Sequence, residues 1–239
     1  MIYDIAGLRV AIQNRCKYTE IFCQNYVSAD QDAPADISVA VSNEEFYAEK
    51  EQSEGFSDGY IENICIYRGI CRQLPVRNRM LLHAAILAYD GAGYAFLGRS
   101  GTGKSTHTGL WMKNLDGVKI VNGDKPILEY TKEGFVAYGT PWMGKEGLGE
   151  NTSAPLKGLC FLEQAKENSI TKLSPAEAAS RIFGQILFPE DEENVTKTLE
   201  LTDILVSKTP CYLLKCTISE EAVQKSYEAL TGKTYVYKN

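Results

Sequence analysis

The sequence predicts a mixed α/β fold with largely antiparallel sheets gathered around one glycine-rich loop. Three observations point to it. First, Gly98-Arg99-Ser100-Gly101-Thr102-Gly103-Lys104-Ser105 fits G-x-x-x-x-G-K-[ST]. It follows the apolar run 94–97 and precedes a helical stretch, 104–115, which is the strand–turn–helix setting this motif requires. Second, residues 80–89 are apolar and strand-like, Asp90-Gly91-Ala92-Gly93 turns, and 94–97 returns. The strand feeding the loop is therefore one arm of an antiparallel hairpin, where an all-parallel nucleotide fold would place a helical crossover. Third, 127–130 and 135–138 flank a turn at 131–134 and make a second hairpin.

In chain order, residues 2–12 mix β-branched and apolar side chains and predict a first strand. Residues 33–36 are turn-like. Ile37, Val39 and Val41 alternate with small or polar residues, as in a half-buried strand. The acidic stretch 43–51 fits either a short exposed helix or an extended edge. After a loop at 53–59, Ile61, Ile64, Tyr67, Ile70 and Leu74 recur at helical spacing until Pro75. Beyond the loop helix, Asp116-Gly117 turns into a strand at 118–121, followed by the turn Asn122-Gly123-Asp124-Lys125. Four glycines around Pro141, Trp142 and Lys145 make 139–150 read as a mobile loop. A strand at 159–162 follows. Ser174-Pro175-Ala176-Glu177 is a capping box with proline at the first helical position, opening a helix toward Leu187 that Phe188-Pro189 breaks. Residues 190–206 read as helix, 211–216 as strand, and 219–230 as a last helix closed by Gly232. No repeat or linker divides the chain. Residues 1–239 read as one domain, with a β-rich part (1–78), a loop core (79–165) and a helical part (166–239).

The 239 residues carry a net charge of −6, with 44% hydrophobic and 23% charged residues. An acidic balance argues against a nucleic-acid binder. No apolar run approaches a membrane span, and Met1-Ile2-Tyr3-Asp4 lacks the basic and apolar regions of a signal peptide. The seven cysteines contain no C-x-x-C pair, so buried free thiols in a reducing cytoplasm are expected rather than zinc or a disulfide framework.

The loop carries the chemistry. Glycines at 98, 101 and 103 let successive N–H groups turn toward phosphate oxygens, with Ser100, Thr102 and Thr106 alongside. Lys104 would reach the β- and γ-phosphates, and the Ser105 hydroxyl would take one position on Mg²⁺. Asp124, directly after an apolar strand, is the candidate for a second metal oxygen, or else a plain turn aspartate. His83, one of two histidines, begins the apolar part of the first hairpin and is a candidate site residue or a hydrogen-bonded core residue. His107, within the loop helix, reads as structural. Lys145 would be either a lid over the phosphates or a solvated lysine.

Leu82-His83-Ala84-Ala85, the hairpin, Phe96-Leu97 running into the Gly98–Ser105 loop, and Val121-Asn122-Gly123-Asp124 resemble the core shared by HPr serine kinases and phosphoenolpyruvate carboxykinases. The likeness covers residues 81–155. It implies that family's C-terminal nucleotide-binding fold, and phosphoryl transfer from ATP, with GTP left open, assisted by Mg²⁺ or Mn²⁺. It implies a protein, peptide or small-molecule hydroxyl as acceptor, and self-association, since HPr kinases form hexamers. Carried over, Gly98 to Ser105 hold phosphate, Ser105 and Asp124 hold metal, and His83 matches a histidine that is a metal ligand in the carboxykinases and lies near the acceptor in the kinases. One departure stands out: the family's Asp-Asp pair is Gly123-Asp124 here. That leaves open a nucleotide-binding regulator with weak catalysis. Carboxykinase chemistry fits poorly, because the large N-terminal domain that helps build the oxaloacetate site has no counterpart in this sequence. A small stand-alone HPr kinase-like protein is the expectation.

Overall fold

The structure is a computed structural model, and it describes residues 1–237. Where one strand was expected over 2–12, the chain makes a hairpin: β1 (Ile2–Ile5) pairs antiparallel with β2 (Leu8–Gln13). Ala6 and Gly7 sit at φ 52° and 71°, the pair of positive values a two-residue hairpin turn needs. Gly7 is a turn signal, but it stands alone beside Ala6 with apolar residues on both sides, so the sequence reads as one strand. After α1 (Lys17–Phe22), β3 (Ile37–Ala40) lies parallel to β2 and completes a three-stranded sheet. The acidic stretch is helical: α2 (Asn43–Gln52) starts at a capping box between Ser42 and Glu45. In α3 (Asp58–Cys71), Ile61, Ile66 and Ile70 pack with Tyr3, Val10 and Ile37 in a first core.

The run expected as one strand over 80–89 is two. β4 (Arg79–Leu81) and β5 (Ala84–Tyr89) are separated by Leu82 and His83. At the break the backbone is shared among three segments: Leu82 N donates to Pro126 O (3.1 Å), His83 N to Gln185 O (2.7 Å) and Ala84 N to Asp124 O (3.0 Å). Next come β6 (Ala92–Leu97), α4 (Lys104–Asn114), β7 (Lys119–Asn122), β8 (Ile127–Thr131) and β9 (Gly134–Tyr138). β10 (Ser153–Gln164) is much longer than the expected 159–162. Its first half alternates buried and exposed residues beside β9, and contains Pro155 and Gly158, which disguise a strand. A Cβ at Gly158 would stand 2.5 Å from the Leu230 side-chain tip, which would have to shift to admit it. The second half of β10 is buried on both faces and reads as a continuous apolar run.

The remaining elements are β11 (Ser169–Lys172), α5 (Pro175–Ile182), α6 (Glu192–Lys208), β12 (Cys211–Cys216) and α7 (Glu220–Thr231). The capping box at Ser174 opens α5 as read, but the helix ends at Ile182, and residues 183–185 form a 3-10 turn that carries Gln185 back to His83. The nine-stranded sheet has the order β4-β8-β9-β10-β6-β5-β7, with β12 beside β10 and β11 beside β12. β10 is parallel to β6 and β12, and the other pairs of this sheet are antiparallel. The fold is thus mixed α/β. Ala178 and Ile182 of α5 and Leu201 and Leu205 of α6 bury one face of the sheet. Trp111 of α4 and Val223 and Tyr227 of α7 bury the other. Among the described residues no helix is long and apolar enough to cross a membrane.

Candidate functional site

β6 is buried over most of its length and delivers the chain to Gly98. A side chain at Gly98 would press on Thr102 at 3.0 Å, and Gly103, at φ 106°, caps the start of α4. Thr102 N donates to Arg99 O (3.1 Å), and Gln164 Nε2 at the end of β10 donates to Gly101 O (3.1 Å), so the turn is tied to the sheet. The first turn of α4 carries no acidic residue and no side-chain cap. Its leading N–H groups and positive dipole end are therefore open to an anion. Ser100, Gly101 and Thr106 are exposed, Thr102 and Ser105 half-buried.

Lys104 is only 8% exposed. Its ammonium donates to Gly98 O (2.9 Å) and lies 3.1 Å from His83 Nε2. Desolvation pushes its pKa down, opposed by the charge of Asp124. His83 Nε2 is in turn 3.1 Å from Asp124 Oδ1, and Lys125 Nζ is 3.1 Å from Asp124 Oδ2. One ring nitrogen cannot serve both neighbours at once: bare, it accepts from Lys104; protonated, it donates to Asp124. Burial works to raise the Asp124 pKa, but the His83 hydrogen bond and the Lys125 charge outweigh it and lower it to about 2. The carboxylate is thus ionised at neutral pH.

Asp124 is placed by Asn122, which is fully buried. Asn122 Oδ1 accepts from the N–H of Asp124 (2.9 Å) and of Lys125 (2.7 Å), while its amide donates to Thr140 O (3.0 Å). The strand-end turn Asn-Gly-Asp-Lys is therefore a rigid Asx turn. Over it crosses the glycine-rich segment 139–150, expected as a loop throughout. Its first part is anchored: Thr140, Pro141 and Trp142 are buried, and Trp142 packs 5.9 Å from Tyr67. Only the turn around Gly144–Gly147 is open. Gly144 lies against Asp124, and Glu146 acts on Lys104 through its charge. Lys145 is exposed at the tip of that turn.

The structure thus brings His83, Lys104 and Asp124 together and leaves Lys145 at the rim. His107 is buried against Phe96, its Nε2 3.0 Å from Ser226 Oγ, and has no hydrogen bond to this cluster. Sequence reasoning passed over Asn122, Lys125, Gln164 and Gln185. The Asn-Gly-Asp-Lys turn itself was a signal for the first two; the glutamines carry none. Two hollows flank the cluster. A groove of about 370 Å³ runs beside the loop between Thr102, Thr106, Leu110, Gln164 and Ile218. A cavity of about 140 Å³ is lined by His83, Lys125 and Gln185, among others. Chemically, the centre offers an anion-receptive helix end with a buried cation, an ionised carboxylate and an imidazole within hydrogen-bond reach of both.

The model of the family described as SynChlorMet cassette protein ScmC matches residues 60–226. The chain belongs to the ScmC family. The matched span includes His83, the Gly98–Ser105 loop, Asp124 and the residues lining both hollows. No curated protein matches it. Among solved structures, it aligns with the HPr(Ser) kinase/phosphatase from Coxiella burnetii over 53% of its own length and 87% of that chain, at 16% identity and a TM-score of 0.27. A likeness of that size says nothing about the reaction.

Proposed function

We propose that this ScmC-family chain binds a nucleoside triphosphate on the Gly98–Ser105 loop and transfers its γ-phosphoryl group to a hydroxyl. The observation that carries the reading is the contact of Lys104 Nζ with His83 Nε2 at 3.1 Å, with Asp124 Oδ1 3.1 Å beyond. A glycine-rich turn capping a helix needs no buried lysine, and a structural lysine has no reason to meet an imidazole and a carboxylate in a cleft.

In this reading the amides of Gly101 and Gly103 and the N-terminus of α4 cradle the phosphates. Lys104 turns from Gly98 O to the γ-phosphoryl oxygens, exchanging a carbonyl partner for a charged one. The base and sugar lie along the groove by Leu110 and Ile218, whose 80% exposure a flat ring would reduce. Ser105 and Asp124 are hard oxygen donors, and Mg²⁺, which keeps several waters and takes phosphate oxygens, needs only one or two from the protein. The two residues therefore fit Mg²⁺ held mainly by the nucleotide; the His83 nitrogen suits Mn²⁺ better. When bound, the metal supplies neutralisation of phosphate charge. His83, with Nε2 bare, takes the acceptor proton there, and Asp124 Oδ1 then receives the new N–H. A single acidic residue in this place agrees with the backbone above Gly123, where a Cβ would stand 2.7 Å from Met143 O.

Isothermal titration with Mg·ATP and Mg·GTP, followed by transfer of labelled γ-phosphate, tests the reading. Micromolar binding that Lys104→Met abolishes supports it; no nucleotide binding overturns it. The second reading is a nucleotide-responsive regulator. It is favoured by the Gly144–Gly147 turn resting against Asp124, and would show tight binding without transfer or hydrolysis.

A further inference from the structure

The cavity that His83 helps to line has walls that point to a chemical class of ligand. It is lined by Tyr67, Leu81, His83, Lys125, Gln185 and Leu187, among others. Lys125 is the only fully charged side chain on it, and among the described residues no carboxylate lines it. The Lys125 ammonium lies 3.1 Å from Asp124 Oδ2 and 5.8 Å from the centre of the Tyr67 ring, with a third proton to give. Gln185 is 7% exposed, and its Oε1 is buried without a hydrogen-bond partner. Native interiors rarely leave such an atom unpaired, so an amide that lines a hollow and lacks a partner marks a site where a ligand supplies one. A half-turn about its last bond exchanges the oxygen and nitrogen ends of the amide. At about 140 Å³ the space is close to the roughly 150 Å³ of an engineered cavity that takes up benzene, room for about six non-hydrogen atoms.

We propose that this cavity binds a small hydroxy-carboxylate of amino-acid size, with its carboxylate on Lys125, a polar substituent on the Gln185 amide and its hydroxyl at His83. The inference rests on the phosphoryl-transfer reading of the same site and narrows its acceptor. The side chain of a serine inside a polypeptide would put only two non-hydrogen atoms into the hollow and leave Lys125 and Gln185 unmatched. His83 is the shared wall: one edge of its ring meets Lys104 on the nucleotide side, and the ring also lines the cavity. In the transfer, the substrate oxygen bonds to the γ-phosphorus and the bond from that phosphorus to the β–γ bridging oxygen breaks. That bonding pair leaves with the nucleoside diphosphate, and the hydroxyl proton passes to His83.

Two measurements on the full chain test this. The first is calorimetric binding without nucleotide of L-serine, of ethanolamine, which lacks the carboxylate, and of N-acetyl-L-serine amide, in which the carboxylate is masked as it is inside a peptide. L-serine is expected to bind at about millimolar strength, as suits so few atoms, and at least tenfold more tightly than the other two. Lys125→Met and Gln185→Leu should each weaken L-serine at least tenfold, while the affinity for Mg·ATP under Gln185→Leu stays within twofold. Gln185→Leu also serves as the folding control: it removes an unpaired buried polar group, so its melting temperature should not fall. Equal binding of the three compounds, no binding of L-serine, or binding indifferent to both variants overturns the proposal. The second measurement is phosphate transfer from labelled ATP to the same three compounds. Transfer to L-serine alone supports it. Transfer to the amide or to ethanolamine in preference overturns the acceptor while leaving the kinase reading standing. Failure of ATP to bind overturns the kinase reading and is read apart from the L-serine titration.

Discussion

A β-carbon on Gly123 would stand 2.7 Å from the carbonyl oxygen of Met143 and 3.1 Å from that of Leu148. The residue that departs from the Asp-Asp pattern is thus roofed by backbone, and the departure is a matter of room as well as charge. Gly123→Ala is expected to destabilise the chain by about 1–3 kcal/mol, because backbone oxygens cannot move aside as a side-chain tip can. Urea unfolding measures it. Gly123→Asp should be worse still and should gain no activity, and a stable, more active Gly123→Asp protein would contradict the packing described.

Lys104→Met should separate binding from stability. Nucleotide affinity is expected to fall by about a hundredfold or more, roughly 3 kcal/mol, as the charge-assisted bonds to phosphate go. Thermal stability should hold or rise, because a buried, desolvated ammonium is replaced by an apolar side chain of similar length. A large drop in melting temperature with unchanged affinity would make Lys104 a structural residue.

His107 gives the fold an acid-sensitive step. Burial lowers its pKa from 6.5 to about 4, so the unfolded chain binds this proton more readily than the folded one. The neutral burial of His107 costs nothing above about pH 6.5; stability declines as pH falls from 6.5 to about 4 and levels off below, by about 3 kcal/mol in total. The Ser226 hydroxyl, which accepts from Trp111 Nε1 at 2.9 Å and spends its own proton on a carbonyl of α7, fixes His107 as the donor in their pair. His107→Gln should flatten the loss between pH 6.5 and 4 in chemical denaturation curves.

Asp124 acts lower on the pH scale. Its folded pKa of about 2 lies below the ordinary 3.8, so its pairing with His83 and Lys125 stabilises the chain above pH 4 and is lost between pH 4 and 2. About 2 kcal/mol goes with it. Asp124→Asn should remove that window without touching the His107 one, and should cost at least about a hundredfold in phosphoryl transfer. Equal transfer rates for the two proteins would remove Asp124 from the site.

Much of this was legible in the residues. The Gly98–Ser105 pattern, the Asp90-Gly91 hairpin and the Ser174 capping box each rest on local chemistry, and local chemistry decides those places. The His83 break was not legible. The amides of Leu82, His83 and Ala84 go to Pro126, Gln185 and Asp124, and those partners lie tens of residues away. β10 was half hidden for a similar reason. Pro155 and Gly158 speak against a strand locally, yet Pro155 pairs with Val136 of β9 and Gly158 packs under Leu230 of α7. Gln185 is the plainest case: nothing in a glutamine after a glycine announces a pocket wall.

Trp142 carries a last consequence, for anyone trimming this protein. The apolar cluster that seats it draws most of its members from before residue 60, where the family match begins. A fragment cut at that border would keep every residue of the glycine-rich loop and still strip the indole of its bedding. The crossing strap over Gly123 would then come loose, and the fragment would report on a damaged centre rather than a minimal one.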